Sequence, residues 1–579
     1  MTAGIKAKLR RKNRLMRAGR VEEADALAVR IGKDIASRNK TRLSHIDSKV
    51  NAKDMWAAYR QLTGRKQQVN AVDGITAESL NQHYVAISTD TSYQPPPCKH
   101  TAAPNVTEVV SEWRMFNILD SLCATATGLD QLPSWFLRLG APLFYKPLTH
   151  LFNVSVSGGV IPHQWKAASI SPVPKVSSPA SFSDFRPISI TSVLSRAIER
   201  LVVRQFIYPA LLTPPPSLVF NDQFAFRPSG STTAAVIAIL QTVTNLLSDH
   251  PYVIVISLDF SKAFDTVRHT TLLQKFAQLD IPDAVYNWLV EYFASHSHCT
   301  KYGGSTSPLC QISASIVQGS AIGPVSYVVN ASDLKAVTSG NELCKYADDT
   351  YVIIPAANEH SRCAELDHIQ HWAKANNLTL NRQKSKEIIV TLCRRSKRAF
   401  NLPPCLSGIE RVTSLKILGV TITGKLSMSE HVCDVVLKCA QSLHVINVLR
   451  RHGMNDHSLQ AVYRSVVLAK LLYASSAWWG FTTADDRHRI EAVVRRGVRA
   501  GLYPANGPTA AQLVEDYDDT LFSHLMNSEQ HVLHHLLPAQ SDHQYNLRPR
   551  PHNLSLSYSM DHRNFIPRLV FKDTYCFAL

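Results

Sequence analysis

The chain has 579 residues, 45% apolar and 18% charged; these proportions belong to a folded globular protein rather than a disordered one, and the length suits roughly three to four domains. Its 62 Lys and Arg against 45 Asp and Glu give a formal net charge of +17, which points to a polyanionic partner. Eleven cysteines without a CxxC pair argue against a disulfide framework and a zinc ribbon, and neither a bilayer-length apolar run nor a signal peptide is read, so an intracellular protein off the membrane is expected.

Residues 1–66 are polar, basic and helix-prone. "MTAGIKAKLRRKNRLMRAGR" runs into "VEEADALAVRIGKDIA", which predicts a helical arm facing nucleic acid, with Gly64 as its end. Arg10, Arg11 and Lys12 are its candidate phosphate contacts. Residues 67–155 read as a linker followed by helices: the Pro cluster of "TSYQPPPCKHTAAP" (91–104) favours an extended connector, and "WRMFNIL", "LPSWFLRL" and "LFYKPLTHLF" carry apolar residues at helical spacing.

A packed α+β domain is expected over 156–424. "YVIVISLDF" (252–260) predicts a buried strand that delivers Asp259 at its C-terminal end, and the helical spacing of "HTTLLQKFAQL" comes after it. "CKYADDTYVII" (344–354) predicts a hairpin with Asp348 and Asp349 at its tip. Two adjacent carboxylates repel, and a half-buried pair needs cations against it. Mg2+, which prefers about six oxygen ligands, supplies that compensation if a third acid joins the pair; Asp259 is the candidate.

Residues 425–515 return to amphipathic helices, and 516–579 form a C-terminal segment. In "VCDVVLKCAQSLHVINVLRR", His431, Cys433, Cys439 and His444 have the chemistry of metal ligands. The apolar positions Val432, Val435, Val436, Cys439, Leu443 and Ile446 mark a helix face instead, so zinc is not expected there. Trp478 and Trp479 are read as core rather than as base-stacking platforms.

"SLDFSKAFDTVRH", "IVQGSAIGP" and "KYADDTYVI" resemble, in that order, motifs A, B and C of reverse transcriptases. "WKAASISPVPK", "FRPISITSVLSRAIERLV", "NDQFAFRPSGSTTAA", "NRQKSKE" and "LKILGVTI" resemble the remaining polymerase blocks of the non-LTR (LINE-type, jockey-like) retrotransposon enzymes. The resemblance implies a right-hand polymerase: fingers, a palm with an antiparallel sheet, and a helical thumb, here with a basic N-terminal arm. It also implies an RNA-directed DNA polymerase that extends a primer 3′-hydroxyl with dNTPs on an RNA template, by two-metal-ion chemistry with Mg2+ or Mn2+.

By the same resemblance Asp259 and Asp348 hold the ions, and Asp349 and the Phe260 carbonyl assist. Phe264 is the steric gate against ribonucleotides; Gln318 and Gly319 lie near the incoming nucleotide; Arg186 and Arg227 touch triphosphate or template. Lys384 donates a proton to the departing pyrophosphate, and Lys175 binds template or nucleotide. Pro324 opens the helix after motif B. Ala225, Val317 and "ASDL" (331–334) depart from the family pattern at positions that bear on template placement rather than on the metal ligands.

Such proteins carry an apurinic-type endonuclease ahead of the polymerase. With the basic arm at the start of this chain, a product lacking that nuclease, truncated from a longer one, is expected. RNA template, DNA primer or target, and dNTPs are the implied partners; the nucleus is the implied compartment, with a cytoplasmic ribonucleoprotein as the other. The rival reading is an inactive remnant that only binds nucleic acid, and Phe264 disfavours an RNA-making polymerase.

Overall fold

The computed structural model describes residues 3–43, 72, 74–99, 109–391, 402–540, 552, 554–555 and 561–572. Outside them lie the expected arm boundary at Gly64 and the end of the Pro-rich connector (100–104). The chain divides into two compact units. One comprises Asn70–Gly419, Thr423–Leu426 and Ser523–Leu579, the other Met1–Val69, Val420–Ile422 and Ser427–Phe522.

The larger unit is mixed α/β with two open five-stranded sheets. Its strands are β1 (Ala167–Pro174), β2 (Phe185–Ile190), β3 (Val253–Leu258), β4 (Phe260–Ser261), β5 (Ser297–Tyr302), β6 (Ser305–Thr306), β7 (Cys310–Gln311), β8 (Glu342–Tyr346), β9 (Asp349–Pro355), β10 (Thr379–Leu380), β11 (Lys386–Val390) and β12 (Glu410–Val412). The first sheet has the order β2-β1-β5-β6 with β7 also on β5; the second runs β12-β11-β3-β9-β8. In the second sheet only the β11–β12 pair is parallel.

β3 reads VIVISL, an aliphatic run broken only by the half-buried Ser257, as in a strand covered on both faces. Ile254, Ile256 and Leu258 join a core that includes Leu272, Phe276 and Leu289, while helix Thr232–Asp249 lies against β3, β8 and β9. Val253, Ile254, Val255 and Ile256 are all 2% exposed or less, so each contributes roughly 1.5–3 kcal/mol of burial. This central strand is therefore a fixed platform for Asp259, the residue at its exit.

Helix Gly323–Asn330 opens with Pro324 in its first turn, as expected. At its other end Lys345 Nζ, fully buried, donates to the carbonyls of Ala331, the helix C-cap (2.8 Å), and of Leu334 beyond it (2.9 Å), placing a positive charge where the helix dipole favours one.

In the smaller unit, Ala3–Arg17 and Val21–Leu43 pack as an antiparallel helical pair in which Ile5, Ala24 and Ile31 are buried. Helix Ser429–Arg451 packs on Ala484–Arg499. A capping box starts the second: Thr483 Oγ1 accepts from the Asp486 N–H, and the Asp486 carboxylate accepts from Thr483 N and from Ser429 Oγ (2.8 Å). Ser429–Arg451 has the length and mean hydropathy (1.4) of a membrane-crossing helix, a match not foreseen from the sequence; it exposes the Asp434–Lys438 ion pair and buries one face in this bundle.

His431 lies edge-on to Trp478 (5.1 Å), Cys439 Sγ donates to the Val467 carbonyl, and Trp478 and Trp479 are 1% and 8% exposed. The helix-face and core readings of these residues thus hold.

Candidate functional site

β3 and β9 run antiparallel with Leu258 opposite Thr350. One step beyond that pair Asp259 leaves β3 as Asp349 enters β9, so the register brings both acids to the same end of the sheet. Tyr346 pairs with Asp349, leaving Ala347 and Asp348 as a two-residue turn. Asp348 is thus at the tip, and Asp349 is the first residue of the strand rather than part of the tip.

The turn is built for this. Ala347 has φ +57°, the left-handed conformation a two-residue hairpin turn needs. Gln223, 1% exposed, accepts through Oε1 from the N–H groups of both Ala347 and Ala225 (3.0 Å each). Backbone bonds from Lys345 N to Asp222 O (2.7 Å) and from Phe224 N to Lys345 O (2.9 Å) lay residues 222–224 beside β8. Asp259 is clamped from the other side: its carbonyl accepts from Asn381 N (2.8 Å) and its N–H donates to Ser385 Oγ (3.2 Å). The Asn381–Ser385 turn carries Lys384 on its exposed side and brings that ammonium within electrostatic reach of Asp259.

Burial raises the pKa of Asp259, and Lys384 opposes the shift. Burial and then Asp259 raise that of Asp348, against Arg186. Asp349 is pushed up to about 6 by desolvation, by Asp348 and by Asp259. Lys175, whose Nζ donates to the Ser183 carbonyl (2.8 Å), is lowered by burial and by its neighbours Arg186, Lys262 and Lys384, while Asp265 acts the other way. Lys384 and Arg186 thus act on three mutually repelling carboxylates, while Lys175 and Lys262 act on Asp265, an arrangement suited to divalent cations beside a polyphosphate.

The loop after Asp259 turns at Lys262 (φ +52°) and sets Phe264 between two rings: stacked on Tyr327 (4.6 Å, 22°) and edge-on to Phe226 (6.4 Å). The buried Tyr327 hydroxyl is raised by burial and then by the charges of Asp348 and Asp349.

Gln318 donates through Nε2 to Asp265 Oδ1 (3.1 Å), and its carbonyl accepts from Ser189 N on β2 (2.7 Å). Gly319 has φ +118°, and a Cβ there would lie 2.2 Å from the Ser189 carbonyl oxygen; only glycine satisfies both the angle and the approach. Phe260 is buried in β4, edge-on to Trp372.

Three supporting residues stood inside the sequence motifs with no role read for them. Gln223 holds the turn through its two backbone partners. Asp265, raised to about 6 by burial against Lys175 and Lys262, orients the Gln318 amide. Glu199, fully buried on helix Val193–Val202, accepts from Ala321 N (2.6 Å), Ile322 N (3.1 Å) and Ser195 Oγ (2.7 Å), which pins the loop after Gly319. The available signal was a polar residue at an apolar position of a helix: Glu199 falls among Val193, Leu194, Ala197, Ile198, Leu201 and Val202.

Not every expected residue joins the cluster. Arg227 donates to the carbonyls of Phe220 and Gln223, and its charged neighbour is Asp222. Arg10, Arg11 and Lys12 lie on helix Ala3–Arg17 of the smaller unit, with both arginines exposed. Among the described residues no three His, Cys, Asp or Glu groups close into a ready-made metal cage. The donor set at Asp259, Asp348 and Asp349 is all hard oxygen, and this fits Mg2+, which keeps water and substrate phosphate among its ligands.

Residues 173–422 match the family model described as reverse transcriptase (RNA-dependent DNA polymerase). Similar proteins include the RNA-directed DNA polymerase from mobile element jockey of Drosophila melanogaster, 28% identical over 65% of this chain and 42% of that protein. Another is the probable RNA-directed DNA polymerase from transposon BS of the same organism, 27% identical over 61% of this chain and 40% of that protein. The chain thus spans about 40% of the length of the curated relatives it matches. Among solved structures, telomerase from Candida tropicalis is similar at 10% identity and TM-score 0.34, over 63% of this chain and 65% of that one. The matched span, residues 173–422, contains Asp259, Asp348 and Asp349.

Proposed function

We propose that this chain is the polymerase part of a jockey-like non-LTR retrotransposon protein, copying an RNA template into DNA from a primer 3′-hydroxyl. The observation that carries the reading is the convergence of Asp259 and the Asp348–Asp349 turn at one end of the sheet, with Lys384 and Arg186 acting on them. In this reading the larger unit supplies fingers and palm, and helices of the smaller one act as thumb and basic arm.

Asp259 and Asp348, assisted by Asp349 and the Phe260 carbonyl, would hold two Mg2+ or Mn2+ ions, which when bound acidify the primer hydroxyl and neutralise the leaving pyrophosphate. Lys175, Arg186 and Lys384 bind and orient the triphosphate of a dNTP; a guanidinium forks onto two phosphate oxygens, whereas an ammonium acts as a point charge. The primer hydroxyl releases its proton to solvent water as its oxygen bonds to the α-phosphorus and the α–β bridging bond breaks. Lys384 supplies a proton to the departing pyrophosphate. Phe264, braced by Tyr327, fills the space a ribonucleotide 2′-hydroxyl would need, and Gln318, held by Asp265, meets the nucleotide's sugar and base. Arg227 and the arm residues Arg10, Arg11 and Lys12 contact phosphates of template and target, and the work is done in the nucleus on DNA.

Primer extension on an RNA template with dNTPs and Mg2+ tests the reading. Product from the native chain and none from Asp259→Ala is the expected result. Well-folded native protein that binds RNA yet adds no nucleotide would leave a binding protein in its place.

A further inference from the structure

Helix Val193–Val202 continues through a π turn, Val203–Ile207, and carries Arg196, Arg200 and Arg204 at four-residue spacing. Like charges so placed repel along a helix. Arg196 escapes by donating to the Ala126 carbonyl (2.7 Å). Arg200 and Arg204 instead share a cavity of about 280 Å3 with Arg114 of helix Glu112–Asp120, over an apolar floor of Ile118, Leu122, Ala197 and Leu201.

Among the described residues none of these three arginines pairs with a carboxylate; Arg114 donates to Gln205 Oε1 (2.7 Å), and Glu112 and Asp120, at the two ends of its helix, meet none of the three. Trp113, the residue before Arg114 on that helix, is 71% exposed, with its ring stacked on Phe116 (5.9 Å, 14°). The charges acting on Asp259, Asp348 and Asp349 do not include these arginines.

We propose that Arg114, Arg200 and Arg204 form a second nucleic-acid site, separate from the acidic centre, that takes the phosphodiester backbone of a single-stranded RNA with a base stacked on Trp113. Arg200 and Arg204, about 6 Å apart along the helix axis, with Arg114 on the same cavity from another helix, spread the charge out, which suits a strand better than one small anion. Trp113, exposed on the adjoining face of the same helix as Arg114, offers the other component of single-strand recognition. The choice of RNA rests on the proposed polymerase function; the charge arrangement does not.

The test compares the full chain with R114Q/R200Q/R204Q, reading equilibrium binding of oligouridine against salt and extension of a short primed template. The variant is expected to bind oligouridine about tenfold or more weakly, with its salt slope reduced by about 2, the loss of three contacts near 0.7 each. Its short-template extension should stay within about twofold of native, while R114K/R200K/R204K keeps the native slope. Trp113→Ala should weaken binding about tenfold without changing the slope.

An unchanged slope in the Gln variant overturns the site. So does inorganic phosphate displacing the RNA at fixed ionic strength, which marks a small-anion pocket, or extension falling in step with binding, which makes these residues part of the template path. If native protein extends nothing while the slope difference persists, the polymerase reading fails and the RNA site stands.

Discussion

The larger unit buries charge in two different ways. Around its sheets, Lys345 meets Asp222 (2.9 Å) and two carbonyls, Lys275 meets Asp333 (2.8 Å), Asn376 and the Asn330 carbonyl, and Glu387, fully buried, receives both Arg362 (2.8 Å) and Arg411 (2.6 Å). These networks are closed: nearly every donor has its acceptor inside the protein. The cluster at Asp259, Asp348 and Asp349 is open, with acids that raise one another's pKa and cations that repel across the same space. Closed networks hold a shape. An open one is complete only when something else arrives, and that difference separates scaffold from site.

The largest expected effect breaks the comparison on its open side. Asp259→Asn or Asp348→Asn should cut primer extension by about 10³-fold or more, while the urea midpoint stays level or rises, since a repulsion has been removed. A large loss of stability in either variant would place these acids with the scaffold. On the closed side, Lys345→Ala strands the Asp222 carboxylate and two carbonyls; it should cost about 3–5 kcal/mol in urea unfolding, and activity should disappear only in step with the folded fraction.

Phe264→Ala sharpens the boundary between the two. The ring touches Tyr327 and Phe226, so some packing is lost. If it also gates the sugar, discrimination against rNTPs should fall by about 10- to 100-fold in the ratio of kcat/KM values. Lost stability with unchanged discrimination would return Phe264 to the core.

The open side was the legible one. Asp259 after an aliphatic run and the paired acids of a hairpin stand out because charge interrupts a local β pattern, and local pattern is what a sequence displays. The closed networks were not legible: Lys345 sits one residue from the "YADD" run, yet its partners Asp222, Ala331 and Leu334 are 11 to 123 residues away, and nothing local says that this lysine points inward. Glu199 and Gln223 were missed for the same reason, since each acts on a loop brought near by the fold. The C-terminal stretch adds another case. Asn564 Nδ2 donates to Thr244 Oγ1 (2.6 Å) and Val532 N to Ser229 Oγ (3.0 Å), contacts across some 300 residues that no spacing predicts.

Asp265 lies between the two kinds of burial, and its variant gives the smallest and most diagnostic effect. Its carboxyl is raised to about 6 by burial, partly offset by Lys175 and Lys262, and it accepts from Gln318. A folded pKa above the unfolded one means that the native state binds the proton more tightly. Stability therefore declines as pH rises from about 4 to about 6, and the cost is in full force above that. Asp265→Asn keeps the acceptor for Gln318 but cannot ionise, so the decline over that window should shrink by about 1–2 kcal/mol, read from urea midpoints at successive pH values. With the Gln318 amide still held, the KM for dNTP should change little below pH 6. Above it, removing the anion leaves Lys175 and Lys262 more strongly positive toward a triphosphate, and the KM should fall slightly. A variant whose pH–stability profile overlays the native one would show that this carboxylate already has its full complement of partners, and would move Asp265 to the closed, structural side.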